Sequence, residues 1–169
     1  MKIVVDSFEY KCWHEVGHAT VCLHLGGNVD CIELLDDDAR GHARARCVVT
    51  SDIERSVACG GFAVEFYLLD RGYAAQAPDD KRDINQVVLN NASMDGHAFF
   101  GREYSSEGFD EAETREFMNH AIGPDGRGGV VPILDVYFSG MRELARELLA
   151  TRRVEGWRVK ELLRREISR

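Results

Sequence analysis

The sequence predicts a mainly α fold of the α+β kind, one domain over residues 1–169 with a single small antiparallel β element. Helix start and stop signals bracket most of the chain, the two longer strand-like runs fall within residues 29–50, and no internal repeat divides it. A chain of 169 residues with 44% hydrophobic and 30% charged residues has the composition of an ordinary globular domain and enough length to bury a core.

The lead from Met1 to Asp6 reads as a short strand or an ordered arm. A first helix runs from about Ser7 to Leu25, where Gly26-Gly27 stops it as a glycine C-cap does. Val29 to Leu35 and Ala43 to Thr50 read as two strands, with Asp36 to Gly41 as the turn of a hairpin or part of a small sheet. Thr50, Ser51 and Asp52 are N-cap candidates for a second helix from Ile53 to about Asp70. A small, polar linker covers Arg71 to Pro78, and Asp79-Asp80 opens a third helix through about Ala92, acids at its positive end. Ser93 to Ser106, rich in glycine and aromatics, reads as irregular. A fourth helix covers about Asp110 to Ala121, and Gly123 to Gly129 is a plain break. The last part, about 131–169, is helical: Val131 to Ala150, then Val154 to Ser168, with Gly156 marking a tight join.

The chemistry concentrates in His14-Glu15-Val16-Gly17-His18 on the first helix. Histidines four residues apart project from one face, and a tetrahedral zinc takes nitrogen ligands about 2 Å away. Glu15 is poorly aimed to bind the same ion but well placed to act as general base toward a water there, the division of labour in a zinc hydrolase. On the helical wheel Cys12, Trp13, Val16, Thr20 and Leu23 gather opposite the histidines, so an amphipathic helix with a polar front is expected.

A catalytic zinc takes three protein ligands, and several residues compete for the third place. His24 has the ten-residue spacing of H-E-x-x-H-x-x-G-x-x-H, but Val21 stands where that pattern needs a helix-breaking glycine. Cys22 lies one turn beyond His18, where a buried thiol is the simpler role. Glu65, inside Phe62 to Leu69, is either a satisfied core ion pair, a direct ligand, or a hydrogen-bond partner supporting a ligating histidine. Asp83 opens the run Asp83 to Leu89 and is either a ligand or a surface acid.

Taken together, His14 to Val21, then Gly60-Gly61-Phe-Ala-Val-Glu65, then Asp83-Ile84-Asn-Gln86-Val87, resemble the peptidase domain of the FtsH-type AAA+ zinc metalloproteases in order and in interval. Leu148-Leu149, Val154, Gly156, Val159 and Leu162-Leu163 are similar to that family's terminal helical pair. The resemblance implies a zincin-like helical domain, zinc bound by His14, His18 and Asp83, Glu15 as catalytic base, and Glu65 as an acid supporting the site. It also implies self-association, or a separate ATPase partner that delivers substrate. No G-x-x-x-x-G-K-[ST] occurs, and the stretch between the first helix and Gly60 is shorter than the family's.

The expected function is zinc-dependent endopeptidase action on peptides or unfolded protein segments. The alternatives are a catalytically silent zinc-binding interaction or regulatory module, and a protease dedicated to one regulator protein. Tyr104, His97 and His120 are candidates for stabilising the oxyanion. A net charge of −8 and the interleaving of Arg152 to Arg165 with glutamates argue against a nucleic-acid surface. No apolar run approaches the roughly 20 residues of a membrane span, and five cysteines without C-x-x-C spacing read as reduced thiols in a cytoplasmic protein.

Overall fold

The computed structural model describes residues 2–35 and 42–164. It is mainly helical with a small amount of sheet. In chain order the elements are β1 (Ile3–Val4), α1 (Phe8–His24), β2 (Asn28–Leu35), β3 (His42–Val48), α2 (Glu54–Ala58), α3 (Gly60–Asp70), β4 (Ala74–Ala75), α4 (Ile84–Asn91), α5 (Ser93–Phe99), α6 (Glu111–Ile122), α7 (Val131–Thr151), β5 (Arg153–Glu155) and α8 (Gly156–Arg164). Among the described residues no helix is long and apolar enough to cross a membrane. The expected turn at Asp36 to Gly41 and the expected helical residues beyond Arg164 lie outside the described residues.

Helix α1 is the centre of the fold. Ser7 caps it, its hydroxyl accepting from the Tyr10 backbone N–H at 3.2 Å, and Gly26 at φ +89° lets the chain leave it. The wheel anticipates a polar front, but α1 is packed on nearly every side: α3 and α7 lie against it, β3 runs past it, and Val16, Ala19, Val21 and Cys22 are fully buried. The polar front that the wheel anticipates is narrow: His14, Glu15 and His18 face a cleft, with His14 and Glu15 only partly buried.

The expected second helix is broken by one residue, Cys59, into α2 and α3. At the break, the Gly60 backbone meets the Gly17 backbone of α1. A Cβ on Gly17 would lie 2.3 Å from the Gly60 carbonyl oxygen and 2.8 Å from Val64 Cγ1. Gly17→Ala cannot be accommodated without moving α3. We expect it to cost about 1–3 kcal/mol or more by chemical denaturation, as overpacking of a tight core does.

The β element is a three-stranded antiparallel sheet in the order β3-β2-β5, beside a separate parallel pair, β1 with β4. Strand β5 was not expected. It forms because Arg152 takes a left-handed conformation (φ +65°) that ends α7 and turns three residues onto β2 before α8 starts at Gly156. Helix α4 starts four residues later than Asp80, because Arg82 holds the Asp80 carboxylate in the preceding loop and Asp83 serves as the N-cap. The stretch after Ala92, expected to be irregular, opens with helix α5.

Candidate metal centre

Helix α1 brings His14 and His18 to one cleft of about 740 Å³, shared with Glu15, Glu65, Asp95 of α5 and residues of β3. Both rings are oriented from behind. His14 Nδ1 lies 2.7 Å from Glu65 Oε1, and His18 Nδ1 lies 2.7 Å from the Val57 carbonyl oxygen. A carboxylate and a carbonyl only accept, so each Nδ1 donates its proton, and in the neutral ring each Nε2 is left with a lone pair. This is the tautomer that a histidine ligand adopts when a hydrogen-bond partner holds its other nitrogen.

The two Nε2 atoms are 3.2 Å apart. Asp95 completes a triangle with them, its Oδ2 at 3.0 Å from His14 Nε2 and its Oδ1 at 3.3 Å from His18 Nε2. Asp95 Oδ2 is buried and receives no hydrogen bond. Donors about 2 Å from a tetrahedral cation stand about 3.3 Å from one another, close to the spacing of this triangle. His14, His18 and Asp95 thus form a group able to hold a metal ion. Gly61 keeps the space clear, since a Cβ there would lie 2.3 Å from His14 Nε2 and 2.6 Å from His18 Nε2.

The third acid differs from the one that the resemblance implies. Asp83 does not stand with the histidines: it caps α4, its carboxylate accepting from Asn85 N–H at 2.9 Å, and it is exposed. A carboxylate turned onto its own helix terminus is not available to α1. Asp95 was missed because glycine and aromatic residues around it conceal a helical pattern. The signal was Ala92, Asp95, Gly96 and Phe99 at i, i+3, i+4 and i+7, which α5 uses to place Ala92, Gly96 and Phe99 in the core and Asp95 at the histidines.

Glu65 takes the supporting place. It is buried on α3, accepts from His14 and accepts from Asn91 Nδ2 at 3.1 Å. Glu15 lines the cleft, its Oε2 accepting from the Ala45 backbone N–H of β3 at 2.6 Å. Burial pushes the Glu15 carboxyl up, against the pull of His18 and His14. A raised carboxyl suits a group that must both take and return a proton.

The remaining candidates are placed apart or differently engaged. His24 meets the Tyr137 hydroxyl at 3.3 Å, and Cys22 is a buried thiol donating to the Asn28 carbonyl at 3.3 Å. His120 is bonded to Ser56 at 2.9 Å and His97 to the Ser93 carbonyl at 2.8 Å, whereas Tyr104 lines the cleft. A larger cavity, about 840 Å³, lies on the other side of α4 and α5 and contains neither histidine.

Protons and a cation compete for the same three atoms. Burial, the largest single influence, lowers the affinity of His14 and His18 for a proton, but the carboxylates around them, Asp95 with Glu65 at His14 and with Glu15 at His18, together hold both above their ordinary 6.5. Asp95 would be raised by burial, but the two histidines hold it below 3.8. In chelated protein the histidine contribution to stability is complete below about pH 6.5 and is lost as pH rises through the higher folded values. The Asp95 contribution is present above about pH 3.8 and is lost as pH falls through its lower folded value. Chelated protein should therefore be most stable between these limits. Zinc binding needs the deprotonated rings, so the gap in melting temperature between zinc-loaded and chelated protein should widen from about pH 5.5 to about pH 8. Thermal melts across that range check it; a gap that narrows would contradict it.

No protein-family model matches this chain, and no curated protein matches it significantly.

Proposed function

We propose that this chain is a zinc-dependent metalloendopeptidase of the FtsH-type peptidase kind, acting on peptides or unfolded protein segments in the cytoplasm. The observation that carries the reading is the triangle of His14, His18 and Asp95, whose histidine protons are already committed to Glu65 and Val57. His14, His18 and Asp95 would hold the ion. When bound, zinc supplies a Lewis acid that lowers the pKa of water to about 7 and polarises a carbonyl.

Glu15 does the proton work. Its carboxylate accepts a proton from the water that adds to the peptide carbonyl carbon and delivers it to the amide nitrogen as the C–N bond breaks. The Ala45 N–H steadies one oxygen of Glu15 and leaves the other for the proton. Glu65 and the Val57 carbonyl keep the two rings from rotating as charge changes around them.

Strand β3 offers a means of presenting substrate. It is an edge strand of the sheet, and Ala45 turns its N–H away from β2 and into the cleft. By strand alternation the main-chain groups of Ala43 and Cys47, which also line the cleft, turn the same way. An extended peptide is the substrate form that such an edge recognises. Self-association or delivery by a separate ATPase stays part of the proposal by resemblance alone.

The test is hydrolysis of an unfolded casein-type substrate by zinc-loaded protein beside chelated protein. Cleavage that disappears with chelator and returns with zinc is expected. Zinc bound at one ion per chain with no cleavage of any unstructured substrate would overturn the peptidase reading and leave a zinc-binding interaction module.

A further inference from the structure

We propose that Asn91 is a positioning residue of the metal centre, whose side-chain amide clamps the Glu65 carboxylate behind His14 to Asp6 in the arm that precedes α1. Glu65 is almost fully buried, and a buried carboxylate is costly unless donors meet its oxygens. His14 Nδ1 meets Oε1 at 2.7 Å, and Asn91 Nδ2 stands 3.1 Å from Oε2. The same nitrogen lies 3.1 Å from Asp6 Oδ1. Both carboxylates only accept, so each takes one N–H of the amide, and the reversed amide would turn its own oxygen against them.

Asp6 is a firm anchor for this clamp. Its Oδ2 accepts from Arg82 Nη2 at 2.8 Å, and Arg82 is held in turn by Asp80. Its backbone is left-handed (φ +64°), uncommon for a residue with a side chain and kept only where the surroundings over-determine it. The pairing of β1 with β4 fixes the chain just before it, and Ser7, the cap of α1, follows it. Asn91 in turn is the last residue of α4 and stands four residues before Asp95, with Ala92 between the two helices. One amide therefore joins the support of His14 to the segment that carries Asp95, and both to the arm that starts α1. Without it Glu65 Oε2 loses this donor, the His14 ring is held less firmly from behind, and the entry to α5 is freed from α3. Asn91 is itself exposed, so replacing it opens no void in the core.

The clamp rests on the metal centre and not on peptide hydrolysis. Its experiment measures zinc affinity by competition with a chromogenic chelator, beside the melting temperature of the chelated protein. The full-length variants are Asn91→Ala, Asn91→Asp, Asp6→Gly and, as a control at the other end of α4, Asp83→Ala. Asn91→Ala should weaken zinc binding about 10-fold, the lower end of what outer partners of a metal ligand contribute, because it acts one hydrogen bond further out. Asn91→Asp should lose more, since a third carboxylate then faces Glu65 and Asp6. Asp6→Gly should weaken zinc binding without lowering the melting temperature, because glycine takes the left-handed backbone freely. Asp83→Ala should keep wild-type zinc affinity. Wild-type affinity in Asn91→Ala, whatever its melting temperature, or an equal loss of zinc in Asp83→Ala, would overturn the proposal. Wild-type protein that binds no zinc would overturn the metal centre itself, and an inactive preparation that binds zinc counts against the peptidase reading alone.

Discussion

Glu15→Gln is expected to leave zinc bound and to reduce peptide hydrolysis by about 10²–10⁴-fold, the usual contribution of a positioned acid–base group. The amide is nearly isosteric and can still accept the Ala45 N–H through its oxygen, so the β3 contact survives. What is lost is the ability to take a proton from water and return it to the leaving nitrogen. Zinc stoichiometry measured on the same samples separates the two roles. A variant that keeps zinc and loses turnover supports the base assignment. One that keeps both activity and zinc would show that proton transfer runs through another group.

The second large effect falls on metal affinity. Asp95→Asn should weaken zinc binding by more than the roughly 10–100-fold that losing an outer hydrogen-bond partner costs, because it removes charge from the triangle itself. Asp83→Ala should leave zinc affinity unchanged and cost about 1 kcal/mol of stability, the ordinary loss of a helix N-cap. Competition with a chromogenic chelator and denaturant unfolding give both numbers. The opposite pattern, zinc lost with Asp83 and kept without Asp95, would return the third place to Asp83.

The mainly α architecture with its small sheet was legible because helix periodicity and glycine breaks are local signals. The convergence of His14, Glu15 and His18 was legible for the same reason, since one helix turn sets it. Glu65 was visible as an acid too costly to bury alone, although only the fold distinguishes its hydrogen bond to His14 from an ordinary ion pair. Asp95 was not legible in that way. Its role depends on how α5 packs against α2, a contact between segments that are distant in sequence, and the glycine-rich surroundings hid the helix itself. Asp83 misled because an acid at a helix start satisfies its own backbone first. Strand β5 depends on a single left-handed residue, Arg152, which no periodicity announces.

The three donors do not share one mechanical environment. Two are rooted in α1, a long helix enclosed by the core, which cannot loosen without the whole protein losing its packing. The third rides on α5, a seven-residue helix at the margin of the cleft. The place of the third donor therefore depends on the seating of α5, whereas that of the two histidines depends on the core around α1. If an ion is held there, Ala92 and Phe99, the buried residues that seat α5, would bear on how long it stays without touching it.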